Sequence, residues 1–331
     1  MSTPLVSVIM PVHNAAPYVE AAIRSVLEQT VERLELIVVD DASTDDSPQI
    51  ISRFSDPRIC RLRSETPLNA AGARNLGLAQ AQGGMVAFLD ADDLALPHRL
   101  EAQLRTFQEQ PEIGVLGSLA ESIDENSNAL GDSFVVPRPP DEIPATLLFQ
   151  NCLALSTVML RRAWIRPFCP AFAPAEDYDL WVHLAAETRI AILPKRLVRY
   201  RTHVENVSSR QPEKMAAAVA SIWSRQLTQL GLHLAPSHSL LSHWPVHPTR
   251  SQLHEAEQWL LALRTANAQR QVYARPAFDR VLAARWFSLC LDSWLLGFSL
   301  WSIYHRSPLA APTTKRRALL LRRLLPRLLR R

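Results

Sequence analysis

A chain of 331 residues with 47% hydrophobic side chains is long for one compact core and can fill one large domain with a smaller unit beside it. Its net charge of +4 comes from one end: Lys315 to Arg331 carries eight Lys or Arg and no acid, which leaves 28 bases against 32 acids, a net −4, in the 314 residues before it. An acidic main body excludes the broad basic surface with interleaved aromatics that nucleic-acid binding needs, and Cys60, Cys152, Cys169 and Cys290, never at C-x-x-C spacing, exclude a zinc site or a thiol redox motif. The thiols fit a reducing cytoplasm. The N-terminus points the same way, because it lacks a basic stretch and its apolar run Leu5 to Val12 is short and broken by Pro11, unlike a signal peptide.

In chain order, Leu5 to Met10 predicts a strand closed by Pro11, and Pro17 opens a helix with Val19, Ala22, Ile23, Val26 and Leu27 on one face. Leu34 to Val39 is a second buried strand ending in Asp40-Asp41, and Ser43 and Asp45 stand where a following helix through Ile50, Ile51 and Phe54 would be capped. Arg58 to Leu62 is a third strand. Asn69 to Gln82 has helical spacing and is stopped by Gly83-Gly84, and Met85 to Leu89 is a fourth strand that runs into Asp90-Ala91-Asp92-Asp93. Apolar strands alternating with helices predict an α/β fold in which a mainly parallel, Rossmann-like sheet is flanked by helices, with ligands at the carboxyl ends of the strands. After a helix at about 97–109, apolar segments near 113–119, 132–136 and 155–160 precede a helix over 176–187 and strands near 190–193 and 196–201. Pro212 and the change to Ala- and Leu-rich sequence set a boundary between a domain of residues 1–211 and a helical region of 212–331, which is interrupted by a loop at about 233–250 rich in Pro, His and Ser.

Both acidic clusters fall at strand ends, and each has a functional and a structural reading. Adjacent carboxylates such as Asp40-Asp41 are costly unless donors or cations satisfy them, although one could simply cap the next helix while the other is solvated. Asp90-x-Asp92-Asp93 is sharper, because carboxylates on alternate residues can converge on a hard cation, and Mg2+ or Mn2+ favours one or two carboxylates plus substrate phosphates. An acidic turn capping a helix near Pro97 is the structural alternative. A phosphoacceptor receiver domain would need a third Asp and a Lys at later strand ends. An aspartyl phosphatase usually presents Asp-x-Asp on its first strand followed by Thr or Val, which Asp93 and Leu94 do not match. No G-x-G-x-x-G follows a strand, and Gly72 to Gly77 has P-loop glycine spacing but Leu78-Ala79 where Lys-Ser/Thr is required.

Taken together, Val8-Ile9-Met10-Pro11-Val12-His13-Asn14, Ser25-Val26-Leu27-Glu28-Gln29-Thr30, Glu35 to Asp45, Ala73-Arg74-Asn75-Leu76-Gly77 and Phe88-Leu89-Asp90-Ala91-Asp92-Asp93 closely resemble glycosyltransferase family 2 in identity, order and spacing. The resemblance covers about residues 4–210. It implies the GT-A fold and an inverting transfer from a nucleotide-diphospho-sugar, a UDP-sugar by preference, to a hydroxyl of a glycan or lipid-linked acceptor. It places Pro11, His13 and Asn14 near the nucleoside, Asp41 on the base and Arg74 near the base or diphosphate. Asp90 faces the ribose or sugar, and Asp92 is the metal ligand, with Asp93 beside it as the alternative.

Glu176-Asp177-Tyr178-Asp179-Leu180-Trp181 resembles the family's Glu-Asp pair at a helix start, where the Asp acts as general base. The chemistry needs one, because a sugar hydroxyl is a poor nucleophile and a carboxylate must take its proton while the metal stabilises the departing nucleoside diphosphate. Asp177 is that base in this reading, with Glu176 beside it. Otherwise Asp177 is a first-turn acid favoured by the helix dipole. Tyr200-Arg201-Thr202-His203 looks like the family's Tyr-Arg-x-His segment, which would bring Arg201 to the donor and His203 to the metal or diphosphate.

In the C-terminal region, Trp286 to Tyr304 is mostly apolar but contains Asp292 and reaches transmembrane length only at the margin, so packing on protein or lying in a membrane interface is the cheaper reading. Leu321, Leu324, Leu325 and Leu328 lie at helical spacing among six arginines, a basic amphipathic pattern that predicts peripheral contact with the anionic inner face of the cell membrane. A degenerate, non-catalytic nucleotide-sugar-binding module remains the alternative to an active transferase. The intact Asp92 and Asp177 favour the enzyme.

Overall fold

β1 (Val6–Val12) and β2 (Leu34–Asp41) are apolar on both faces, which suits only a sheet covered on both sides. In the computed structural model of the protein, which describes residues 4–202, 211–242, 244–246, 248–293, 296 and 299–310, that is where they lie. The chain divides into two compact units, Met1–Ile143 with Asn151–Val219 and Pro144–Gln150 with Ala220–Arg331.

The first unit is built on a nine-stranded sheet. β3 (Ile59–Ser64), β2, β1 and β4 (Met85–Phe88) run parallel in that order, joined by α1 (Val19–Leu27), α2 (Ser47–Ser52) and α3 (Asn69–Gln80). Beyond β4 come the two-residue β5 (Leu94–Ala95), α4 (Arg99–Glu109), β6 (Ile113–Ile123), β7 (Ala129–Asp132), the short α5 (Ile143–Thr146), β8 (Met159–Arg161), α6 (Glu176–Glu187) and β9 (Arg189–Arg201). The sheet continues β4-β8-β6-β9-β5 with β7 on β6, and it is mixed here, because β8 runs antiparallel to both β4 and β6 while β6 and β9 are parallel. The four adjacent parallel strands, β3, β2, β1 and β4, are those that alternate with helices in the sequence.

The predicted helical face of α1 is the buried one, with Val19, Ala22, Ile23 and Val26 packed on Val8, Met10, Leu36 and Val38 of the sheet. Fully burying such a side chain contributes about 1.5–3 kcal/mol, so this contact dominates over helix propensity. On the other face α3 comes very close to the sheet at Gly77, where a Cβ would stand 2.7 Å from Ile9 Cγ2. Only glycine fits there without pushing the helix away.

Several elements differ from the sequence-based expectation. The strands expected at 190–193 and 196–201 are one strand: Leu193 pairs with Ser118 and Arg196 with Leu119, so Pro194, which lacks an N–H, is carried in a local irregularity. The strand expected at 132–136 lies at Ala129–Asp132, set by a turn in which the Asp124 carboxylate accepts from the Asn126 and Asn128 amides. Over 155–160 a 3-10 turn, Leu155–Thr157, precedes β8.

The second unit is helical. α7 (Pro212–Gln229) enters it, and α8 (Pro236–Ser242), α9 (Arg250–Arg270), α10 (Arg275–Asp292) and α11 (Ser299–Arg306) follow. α8 lies within the predicted loop, opened by a proline in its first turn and pinned by buried His238 and Leu241. The core gathers Leu253, Leu260 and Leu263 of α9, Phe278, Leu282 and Trp286 of α10, and Leu300 and Tyr304 of α11. The same unit holds the segment Pro144–Gln150: Gln226 Nε2 donates to the Leu147 carbonyl, His238 Nε2 to that of Leu148, Ser242 Oγ to that of Phe149, and Arg285 to Gln150 Oε1. Among the described residues no helix is long and apolar enough to cross a membrane. Asp292 ends α10 and is exposed, which breaks the apolar run, and the basic tail falls outside the described residues.

Candidate active site

The loops after β1 and β2 are locked to each other at their carboxyl ends. Asn14 and Ala42 both adopt left-handed backbone, with φ of 51° and 52°. Such a conformation costs an alanine about 1 kcal/mol or more. It is held because Asn14 Oδ1 accepts from the Thr44 amide at 2.8 Å, while the Asn14 amide donates to Ser43 Oγ at 3.0 Å. Ser43 and Asp45 were expected as helix caps; Asp45 accepts from the Ser47 amide and also from Ala16, so its role spans both loops. His13 is exposed, and its Nδ1 donates to the Asp41 carbonyl at 2.6 Å. The Asp41 carboxylate is buried and accepts from the Leu68 amide at 2.7 Å, and Pro11 is half-buried beneath this rim.

Arg74 ties three distant segments together. It projects from α3, donates through Nη1 to Glu176 Oε1 at 2.6 Å and through Nη2 to Asp90 Oδ1 at 2.8 Å, and lies over the Phe168 ring. Burial disfavours the cation, yet the carboxylates of Asp90 and Glu176 outweigh it and hold its pKa above the usual guanidinium range. Asn75, next in the chain, clamps the Phe168 backbone with two 2.8 Å hydrogen bonds. The end of β4 and the start of α6 therefore meet on one arginine. Arg74 Nε and Glu176 Oε2 are buried without a hydrogen-bond partner among the described residues.

Asp177 is half-buried at the first turn of α6. Burial, reinforced by the neighbouring Glu176 carboxylate and opposed by Arg74, pushes its carboxyl up to about 7. Asn151 Nδ2 donates to its Oδ2 at 2.9 Å and the Tyr178 amide to its Oδ1 at 2.7 Å, bonds that favour the charged form.

At the end of β4 the Asp90 amide donates to Ser156 Oγ at 3.0 Å. Asp92 is half-buried and Asp93 fully so. The Asp93 carboxyl lies well above its ordinary pKa, first because of burial and then because Asp92 and Asp90 crowd it with negative charge. It accepts from the Arg201 amide at 2.7 Å, which fastens it to β9. Of the three carboxylates on these four residues Asp90 is paired with Arg74, and the adjacent Asp92 and Asp93 fit a divalent cation. No group of three His, Cys, Asp or Glu among the described residues could hold a metal by itself, so ligand oxygens would have to complete the shell.

The resemblance assigns Arg201 to the donor, and in the fold its guanidinium is engaged by the protein's own main chain. It is buried, and its guanidinium donates to the main-chain carbonyls of Asp92, Asp124 and Glu125 and lies over the Tyr18 ring. It braces the loop that carries Asp92, because a guanidinium presents five donors and here three carbonyls and Ser127 Oγ take four of them. His203 lies outside the described residues. Sequence reasoning gave no role to Asn75, Ser156 or Asn151. Asn75 stood inside a recognised motif, whereas Ser156 and Asn151 lie in irregular chain with no periodic signal.

The glycosyl transferase family 2 model matches residues 7–160. The Escherichia coli UDP-Glc:alpha-D-GlcNAc-diphosphoundecaprenol beta-1,3-glucosyltransferase WfgD is 36% identical over 210 residues, covering 62% of this chain and 81% of that one. A second E. coli enzyme of the same printed activity, WfaP, is 32% identical over 209 residues with the same coverage. Among solved structures, S. aureus TarS 1–349 in complex with UDP-GlcNAc aligns with a TM-score of 0.57 at 22% identity over 87% of this chain and 86% of that one. The mannosyltransferase PcManGT from Pyrobaculum calidifontis, in complex with GDP-Man and Mn2+, aligns with a TM-score of 0.52 at 18% identity over 99% of this chain and 88% of that one. These likenesses agree with the GT-A fold of the first unit. The extent of the likeness to WfgD, together with the match of the family model to the strand ends just described, makes this chain a member of glycosyltransferase family 2 and a glycosyltransferase.

Proposed function

We infer that the protein transfers a sugar, with inversion, from a UDP-sugar to a hydroxyl of a lipid-linked glycan acceptor, and that Asp177 is the general base. The observation that carries this reading is the placement of Asp177: its carboxyl, raised to about 7, sits beside Glu176, which Arg74 joins directly to Asp90 at the strand ends. A base poised near 7 can be charged at working pH and still accept a proton. The acceptor oxygen forms the new bond to the anomeric carbon and its proton passes to Asp177. The bond from that carbon to the diphosphate breaks, and the nucleoside diphosphate leaves with the electron pair.

Pro11, His13, Asn14 and Asp41 form the nucleoside rim in this reading, and Asp90 orients the ribose or sugar. A divalent cation, Mn2+ or Mg2+, held by Asp92 with Asp93 behind it, would neutralise charge on the departing diphosphate. Glu176 and Arg74 fix the first turn of α6, and the unpartnered Glu176 Oε2 offers an acceptor to a sugar hydroxyl. The lipid-linked acceptor follows the printed activities of WfgD and WfaP, and the UDP-sugar follows theirs and the TarS complex. We place the protein at the cytoplasmic face of a cell membrane, where a lipid-linked acceptor would be met.

A thermal-shift screen of UDP, GDP and dTDP sugars with and without Mn2+ tests the donor class. Stabilisation by UDP-sugars that grows with Mn2+ is expected. Preference for another base would redirect the reading, and no response to any nucleotide would remove it.

A further inference from the structure

Among the described residues six large apolar side chains are exposed, and three of them, Leu130, Phe134 and Val136, fall within seven consecutive positions of the first unit. They are 60%, 53% and 44% exposed. Ser133 and Val135 are buried, so residues 133–136 alternate and turn Phe134 and Val136 outward, while Leu130 is exposed in β7, whose four residues are all exposed. Isolated exposed apolar residues need no explanation, but three this close in sequence do.

This stretch is joined to the site. The Phe134 ring packs edge-on against Tyr200 at 6.1 Å, and burial first, then the negative charge of Asp93, Asp90, Asp92 and Asp177, drives the Tyr200 phenol pKa far up. Two residues beyond Val136 comes Arg138, set between Pro137 and Pro139 in a stiff stretch of chain. Its Nε is buried without a hydrogen-bond partner, and among the described residues its guanidinium makes no ion pair. Its charge is felt at Cys152, whose thiol burial pushes up to about 12 against the opposing pull of Arg138. Cys152 follows Asn151, the residue bonded to Asp177. A buried donor left open is costly, which argues for a ligand that fills it.

In sequence the exposed apolar residues lead directly into the cation. We propose that this stretch is the acceptor subsite: Arg138 receives the diphosphate of a sugar-diphospho-lipid, while Leu130, Phe134 and Val136 receive the first part of its apolar chain. A guanidinium suits this task because its fork matches phosphate oxygens in pairs. The proposal rests on the lipid-linked acceptor class inferred above and adds the residues that recognise it.

The test separates the two. Binding of a polyprenyl diphosphate in detergent micelles is measured for wild type, Arg138→Ala, Arg138→Lys and the triple variant Leu130→Ser, Phe134→Ser, Val136→Ser, with UDP affinity as the check on folding. Arg138→Ala should weaken binding about 10-fold or more, a charge-assisted bond being the thing lost, and Arg138→Lys should restore part of it. The triple variant should weaken binding of the long-chain diphosphate but not of the same diphosphate on a short, water-soluble alcohol. Equal affinity in all variants overturns the subsite, as does self-association of the wild type that the triple variant abolishes, since a second copy would then cover the stretch. Transfer assays with GlcNAc-diphospho-lipid read the other level: wild-type turnover with unaffected variants overturns the subsite alone, whereas wild-type binding of the lipid diphosphate without turnover overturns the assigned acceptor sugar and leaves the subsite standing.

Discussion

Each unit buries a polar cluster, and the two are finished in different ways. Around His238 in the helical unit, Nε2 donates to the Leu148 carbonyl and Nδ1 accepts from Trp259 Nε1, while Phe149, Trp223 and Trp259 surround the ring. Burial holds that imidazole down at about 4, so it stays neutral and acts as a pin. Around Arg74 in the catalytic unit, Nε and Glu176 Oε2 are left open, and Asp177 nearby is pushed up to about 7 rather than neutralised outright. Both ring nitrogens of His238 are taken within the fold, whereas the Arg74 cluster keeps a donor and an acceptor beside a raised carboxyl.

The comparison breaks most visibly at Arg74. Arg74→Ala strands the buried Glu176 carboxylate and should cost about 3–5 kcal/mol of stability, read as a fall in the denaturant midpoint. A loss under 1 kcal/mol would mean the pair is not buried as described. Asp177→Asn, an isosteric change at the candidate base, should slow transfer about 10²-fold or more with UDP affinity nearly unchanged in calorimetry. His238→Ala should do the reverse: it costs about 2–4 kcal/mol through the cavity and the unpaired Leu148 carbonyl, yet leaves UDP affinity of the folded protein as it was.

How much of this was legible in the sequence follows the same division. β1, β2, α1 and β4 were readable because continuous apolar runs and a 3.6-residue stripe report burial directly, and the motif residues Asp41, Asp90 and Asp177 stand at element ends that those runs locate, with Arg74 inside α3. The bracing by Arg201 was not legible because a motif fixes position and not partners: only the fold shows three carbonyls converging on it. Asn151, Ser156 and Arg138 were invisible as site residues, since they lie in irregular chain where neither period applies. α8 was hidden by its prolines and histidines, which tertiary packing of His238 and Leu241 overrides.

Smaller effects sharpen the picture of the incomplete cluster. UDP should bind about 10-fold more weakly in EDTA than in Mn2+, because Asp92, Asp93 and the diphosphate would otherwise repel one another. Equal affinity in calorimetry would count against the metal role. The acid limb of kcat/KM should fall near pH 7, move up in Asn151→Ala, which loses a bond to the charged carboxylate, and move down in Glu176→Gln, which removes a like charge. Asn151 is a positioning residue in this sense, and an unshifted limb would make it merely structural. The stability consequence has a definite sign. Because Asp177 is raised in the fold, its neutral form is favoured there, so its contribution is full below the ordinary carboxyl pKa of about 4 and declines as pH rises through about 7. Asp177→Asn should flatten that decline in melts taken across the range.

Single-displacement transfer assisted by Asp177 is the claim on which the rest depends, and the stereochemistry of the product reads it most directly. Wild-type protein is incubated with UDP-glucose or UDP-GlcNAc, GlcNAc-diphospho-lipid and Mn2+, and the new linkage is assigned by proton NMR. These α-linked donors should yield a β-linked product. An α-linked product, or a sugar trapped covalently on the protein, would contradict direct attack by an acceptor hydroxyl deprotonated at Asp177.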